Sequence, residues 1–224
     1  MLKQGLLILF FVFAALDLAS QAFNLPFLHL IAKPMIVIIL AAYYQQSNPV
    51  AIKGFLFALV FCWLGDVFLL FDHLNELFFM AGLGSFLVAH VLLIFCYRKF
   101  RLPGESQQST LRIRLSFPVV LVGSGLVTVL YPKLGDLRIP VMVYAMALTL
   151  MVLQSIFRFG RTSAASFWLV FAGAVSFMIS DTLLAINKFY QPVSQAGVLI
   201  MVTYIASLFL IVQGIIAHPK TAQF

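Results

Sequence analysis

The sequence predicts an all-α integral membrane protein, an eight-transmembrane-helix bundle, and three observations carry that reading. Of the 224 residues, 63% are hydrophobic and only 9% charged, against about a quarter charged in a soluble domain. The apolar stretches are continuous over about 20 residues, the length of a membrane-crossing helix, and lack the alternation of a membrane β-barrel strand. Breakers separate them: Pro26, Pro49, Pro132, Pro192 and the loop RLPGESQQST.

Taken in order, the spans are expected at roughly 4–22, 26–45, 53–71, 77–97, 113–131, 138–157, 165–187 and 194–217. They form one transmembrane domain over residues 1–224. The first follows a single Lys3 and lacks a small-residue cleavage site, so it reads as a retained helix rather than a signal peptide. Cys62 and Cys96 fall within apolar runs and act as small hydrophobes, with neither disulfide nor metal-ligand spacing. No cofactor or metal is expected.

The net charge of +7 does not call for nucleic acid, because the basic residues lie in the connections. Lys3, Lys53, Arg98, Lys99, Arg101, Arg112, Arg114, Arg158, Arg161 and Lys220 fall on one side; Lys133, Arg138 and Lys188 fall on the other. The positive-inside rule then places both termini in the cytoplasm. The chain is expected in the cell membrane, the inner membrane if it is bacterial. In that orientation Asp17, His29, Lys33, Asp66 and Asp181 share the outer half of the bilayer, and His90 lies nearer the inner half.

Asp66 in FCWLGDVFLLF and Asp181 in FMISDTLLAIN stand inside apolar helices. A carboxylate there costs several kcal/mol, which makes it a functional hypothesis by default. Shifting the chain by 115 residues aligns the two, together with Leu69 and Leu184, and Ala81-Gly82 and Ala196-Gly197. An even number of spans separates the copies, so they would be parallel four-helix repeats. Two carboxylates facing one cavity would repel, one staying protonated as an acid while the other ionises. The competing explanation is that each is a neutral acid hydrogen-bonded in the core.

Other polar residues could serve such a pair. Lys33 lies about 10 Å inside its span at 1.5 Å per residue, with His29 one turn away on the same face. Lys33 could hold a carboxylate ionised, bind a phosphate, or snorkel to the surface. On the fourth span, Phe79, Gly82, Phe86 and His90 share a face. There Gly82 suits helix packing, and His90 is equally a satisfied interior histidine or a participant. Tyr144 and Tyr204 lie mid-span, where a buried tyrosine wants a partner such as an aspartate. Asp17, near a helix end, is expected to snorkel. The Asp72, His73 and Glu76 loop is expected to be a solvated turn. There is no GxSxG, HExxH, P-loop or GxGxxG motif, so acid–base chemistry without a covalent intermediate fits best.

These residues together carry a resemblance. Lys33-Pro34, Gly65-Asp66, Gly82, Phe86, His90, Tyr144, Ser180-Asp181 and Tyr204, in that order over nearly the whole chain, resemble the YhhN-like membrane proteins, which include lysoplasmalogenases. The resemblance implies hydrolysis of the vinyl ether bond of a lysophospholipid, giving a fatty aldehyde and glycerophosphocholine or glycerophosphoethanolamine. Asp66 and Asp181 would then be catalytic. Lys33, His90, Tyr144, Ser180 and Tyr204 would tune them or bind the headgroup, with membrane lipids as surroundings. Two other classes remain open: a proton-coupled transporter using the acids as a relay, and a structural or lipid-sensing bundle. Aldehyde release by purified protein separates the enzyme from both.

Overall fold

The computed structural model describes residues 2–47, 52–102 and 109–219. They form eight long helices: α1 (Leu2–Ala22), α2 (Pro26–Ser47), α3 (Lys53–Leu69), α4 (Glu76–Lys99), α5 (Ser109–Leu130), α6 (Arg138–Ile156), α7 (Ala164–Ala185) and α8 (Ala196–Ile216). No strand occurs among the described residues. Seven of these helices are long and apolar enough to cross a membrane. The exception, α3, has 17 residues and rises about 26 Å, just under the thickness of a hydrocarbon core. The chain is a multi-pass membrane protein.

Local chemistry sets the helix ends. Asn24 takes the left-handed backbone conformation (φ 53°) in the tight turn between α1 and α2, as does Gln195 (φ 57°) before α8. Ser163 caps α7 by accepting the Ser166 backbone N–H at 3.2 Å. Pro34 lies within α2 and has no N–H to return to the Leu30 carbonyl. The helix carrying Asp181 does not stop at Ala185 but widens into a π turn over Ile186–Tyr190, a distortion that often accompanies functional sites.

The chain divides into two compact units, Met1–Leu93 and Ile94–Phe224, with the boundary inside α4. In the first, α1 packs on α2 and α2 on α3. Gly65 of α3 faces Phe86 of α4 so closely that a Cβ would lie 2.5 Å from the ring, and Gly82 meets Leu69 in the same way. In the second, α5 packs on α6, α6 on α7 and α7 on α8. The α7–α8 contact is backbone-close. A Cβ on Gly173 would lie 2.9 Å from both the Ser207 carbonyl and the Ile211 nitrogen, and one on Gly214 would lie 2.8 Å from the Val170 nitrogen. Small residues allow this approach where apolar burial alone drives little association between helices in lipid.

Candidate active site

The acids expected from the sequence are buried. Asp66 is 1% exposed and Asp181 8%; each sits among helix neighbours that supply a partner.

In the first unit the partners come from α2. Lys33 Nζ lies 3.9 Å from Asp66 Oδ1, and Lys33 is itself buried. The snorkelling alternative for this lysine does not hold, because its ammonium turns inward to a carboxylate. The pair brings opposite charges together inside the helices. Gly65, adjacent to Asp66, leaves room for the Phe86 ring, which covers the backbone beside the carboxylate. His90, one turn further along α4 from Phe86, is fully buried.

One turn before Lys33 on α2, His29 forms a second pair. Its Nδ1 lies 2.7 Å from Asp17 Oδ1, and Gln21 Nε2 lies 3.0 Å from its Nε2. An amide N–H can only donate, so Nε2 accepts and Nδ1–H donates to Asp17. Asp17 is wholly buried and does not snorkel as expected. The signal was present: Asp17 and His29 flank the Asn24 turn, and an antiparallel helix pair brings positions equidistant from its turn to one level.

In the second unit Tyr144 of α6 donates its hydroxyl to Asp181 Oδ2 at 2.5 Å, the partnership a mid-span tyrosine was expected to need. Ser180 donates to the Ile200 carbonyl at 3.0 Å and so ties α7 to α8. Tyr204 is buried with its ring edge-on to Phe177, centroids 5.5 Å apart. The residue after Asp181, Thr182, has a buried Oγ1 with no hydrogen-bond partner among the described residues. It ends an apolar groove of about 410 Å³ between α5 and α7, lined also by Val119, Val122, Phe171, Met178 and Leu183. That volume suits a small ligand or part of a lipid chain. Among the described residues no group of three His, Cys, Asp or Glu side chains could hold a metal ion.

Comparisons with known proteins place the chain among relatives of known name. The chain is 33% identical over 140 residues to a lysoplasmalogenase of Mycobacterium bovis, covering 61% of this chain and 50% of that protein. It is 30% identical over 172 residues to lysoplasmalogenase TMEM86A of Bos taurus, covering 75% and 67% respectively. A third relative, lysoplasmalogenase TMEM86B of Sus scrofa, is 30% identical over 142 residues, 63% of this chain and 56% of that protein. The chain thus spans about half the length of the mycobacterial relative, and up to two thirds of the others. No solved structure matches. The model of the YhhN family matches residues 28–215, from one turn before Lys33 to the end of α8, and the chain belongs to the YhhN family.

Proposed function

We propose that this protein is a membrane hydrolase that cleaves the vinyl ether bond of lysoplasmalogens. The observation that carries the reading is the likeness to three relatives named lysoplasmalogenase. The buried aspartates, each with its own partner, support it.

The chemistry needs a proton donor and an anion. A proton adds to the β-carbon of the vinyl ether, leaving an oxocarbenium ion. Water adds to the carbon bearing the oxygen and gives up a proton to a base. The hemiacetal then collapses, its hydroxyl proton passing to the departing glycerol oxygen, to give a fatty aldehyde and a glycerophosphodiester. The demand parallels that of glycosidases, where two carboxylates handle an oxocarbenium-like state. In our assignment Asp66, beside Lys33, is the anion that steadies the cation and takes the water proton. Asp181, sharing a hydrogen bond with Tyr144, is the donor to carbon. His90 and Tyr204 help position the headgroup, and the α5–α7 groove ending at Thr182 takes the alkenyl tail. Eight spans with both termini cytoplasmic, and descent from two parallel four-helix repeats, complete the reading.

The test is aldehyde release by purified protein in detergent, with lysoplasmenyl lipid compared against its ester analogue. We expect turnover of the vinyl ether alone, falling by about 10²–10⁴ in Asp66→Asn and Asp181→Asn. A proton-coupled transporter would release no aldehyde from any lipid without a gradient. Near-normal turnover by both variants would end the mechanism and leave only the family assignment.

A further inference from the structure

The groove between α5 and α7 is bounded at both ends, and the two ends differ in kind. Its walls are one face of each helix. Leu115 and Val122 lie two turns apart on α5, and Phe171, Val175, Met178 and Thr182 recur at spacings of four, three and four on α7. Among the described residues lining it, Thr182 alone carries a polar side chain.

Just beyond Thr182 the groove is shut. Ala185 and, from the π turn, Phe189 pack with Leu126 of α5 on the cluster of Leu130, Leu134 and Val141. At the other end Phe171 is the first α7 residue of the wall, and it is half-buried. Its ring stacks on Phe167, centroids 5.8 Å apart and 4° from parallel, and meets Trp168 edge-on at 6.1 Å. Phe167 is buried in its turn and meets Phe159 at 4.8 Å. A ring braced by two others is a firm floor, whereas a methionine such as Met178 yields to what it touches.

We propose that this groove gauges the length of the substrate's hydrocarbon chain, with Thr182 as the zero mark and Phe171 as the limit. The proposal rests on the hydrolase function above and on Asp181 as proton donor. Thr182 follows Asp181 directly, so a vinyl ether at the acid brings the polar end of the lipid to this hydroxyl. Thr182 Oγ1 is buried with no hydrogen-bond partner among the described residues, and it takes an oxygen of the glycerol. Below it the walls offer only hydrocarbon. Phe171 and Thr182 are three turns apart, about 17 Å at 1.5 Å per residue. An extended chain advances about 1.2 Å per bond, so about 14 carbons reach from the hydroxyl to the ring. Lipid around the protein is as apolar as the groove, so apolar burial alone selects little. Selection comes from the ring, which a longer chain must fold against or avoid by leaving the groove.

The experiment uses the full chain purified in detergent and measures kcat/KM for aldehyde release. The substrates are alkenyl lysolipids of one headgroup, in a series from about 10 to about 20 carbons that brackets the reach of the groove. We expect an optimum near 14 carbons and a fall of about tenfold or more at the long end of the series. Phe171→Ala lowers the floor to Phe167 and Trp168, one turn further on, and should move the optimum up by about four carbons. Val175→Phe raises the floor by one turn and should move it down by about four. The second variant removes no ring contact, so it keeps the test decisive if Phe171→Ala fails to fold. Thr182→Val should lower kcat/KM at every length and leave the optimum in place. A merely structural role for these residues would change turnover at all lengths alike. Turnover with a flat profile, or with an optimum that Val175→Phe does not move, overturns the proposal and leaves the hydrolase function standing; the groove would then hold bulk membrane lipid. No aldehyde at any length overturns both.

Discussion

Asp66 of the first unit and Asp181 of the second are both buried in apolar helices, yet their partners differ in kind. Asp66 faces an ammonium at 3.9 Å; Asp181 accepts a phenol hydroxyl at 2.5 Å. An ammonium neutralises the charge of a buried carboxylate. A phenol brings one hydrogen bond and no charge. The lesson is that the same kind of acid in two apolar helices meets chemically different residues on the neighbouring helix, Lys33 on α2 and Tyr144 on α6. That difference underlies the division of labour proposed for them.

The comparison can be broken by exchanging its terms. The largest effect should come from Lys33→Met, which strands a buried carboxylate and should cost about 3–5 kcal/mol. Folded yield and unfolding temperature in detergent measure it. If Lys33→Met Asp66→Asn recovers the yield, the pair is a charge pair; if it does not, the lysine serves packing. Tyr144→Phe should leave folding nearly intact and lower aldehyde turnover about 2–10-fold, because one hydrogen bond to the acid is lost, about 0.5–1.5 kcal/mol. Unchanged turnover would remove Asp181 from the role of proton donor.

The units should also differ in how they tolerate a methyl group. Gly65→Ala pushes against the Phe86 ring, whereas Gly173→Ala pushes against the Ser207 and Ile211 backbone. A ring can shift and a paired helix backbone cannot, so the second substitution should lower the unfolding temperature more. Each is expected to cost about 1–3 kcal/mol. The smallest effect concerns pH. His218, just beyond α8, hydrogen-bonds Thr162 Oγ1 at 2.7 Å, and burial followed by the Arg158 charge lowers its pKa to about 4. The unfolded chain binds this proton near pH 6.5 and the folded one only near 4. Stability is therefore lost as pH falls through that window and is level above it. His218→Gln should flatten this part of the pH–stability curve.

Much of the fold could be read from apolar run length and breakers. The second span was expected near 26–45 and is Pro26–Ser47; the sixth was expected near 138–157 and is Arg138–Ile156. The π turn after Ala185 was not visible, because Ile186–Tyr190 has no breaker to mark it. Among site residues, a mid-span tyrosine without a partner in sequence is a readable signal, and Tyr144 found Asp181. Asp17 was misread because depth was judged along one helix, while its burial comes from His29 across the turn. The arginines at the far end were legible only as charges to be counted. Their packing depends on contacts such as Arg158 to Phe100, 58 positions apart, which no local pattern encodes.

Arg158 also bears on how the chain is made. Its guanidinium bonds the Ser166 hydroxyl, which in turn donates to the Gly214 carbonyl at 2.6 Å near the end of α8. Gly214 emerges from the ribosome more than fifty residues after Arg158. Until then Ser166 lacks its acceptor, and the charge between α4 and α7 lacks the last helix that covers it. A nascent chain stopped before Gly214 would thus leave this cationic seam uncovered, and synthesis of α8 would cover it. The seam around Arg158 is thus closed by α8, the element of this unit made after the arginine's own neighbours.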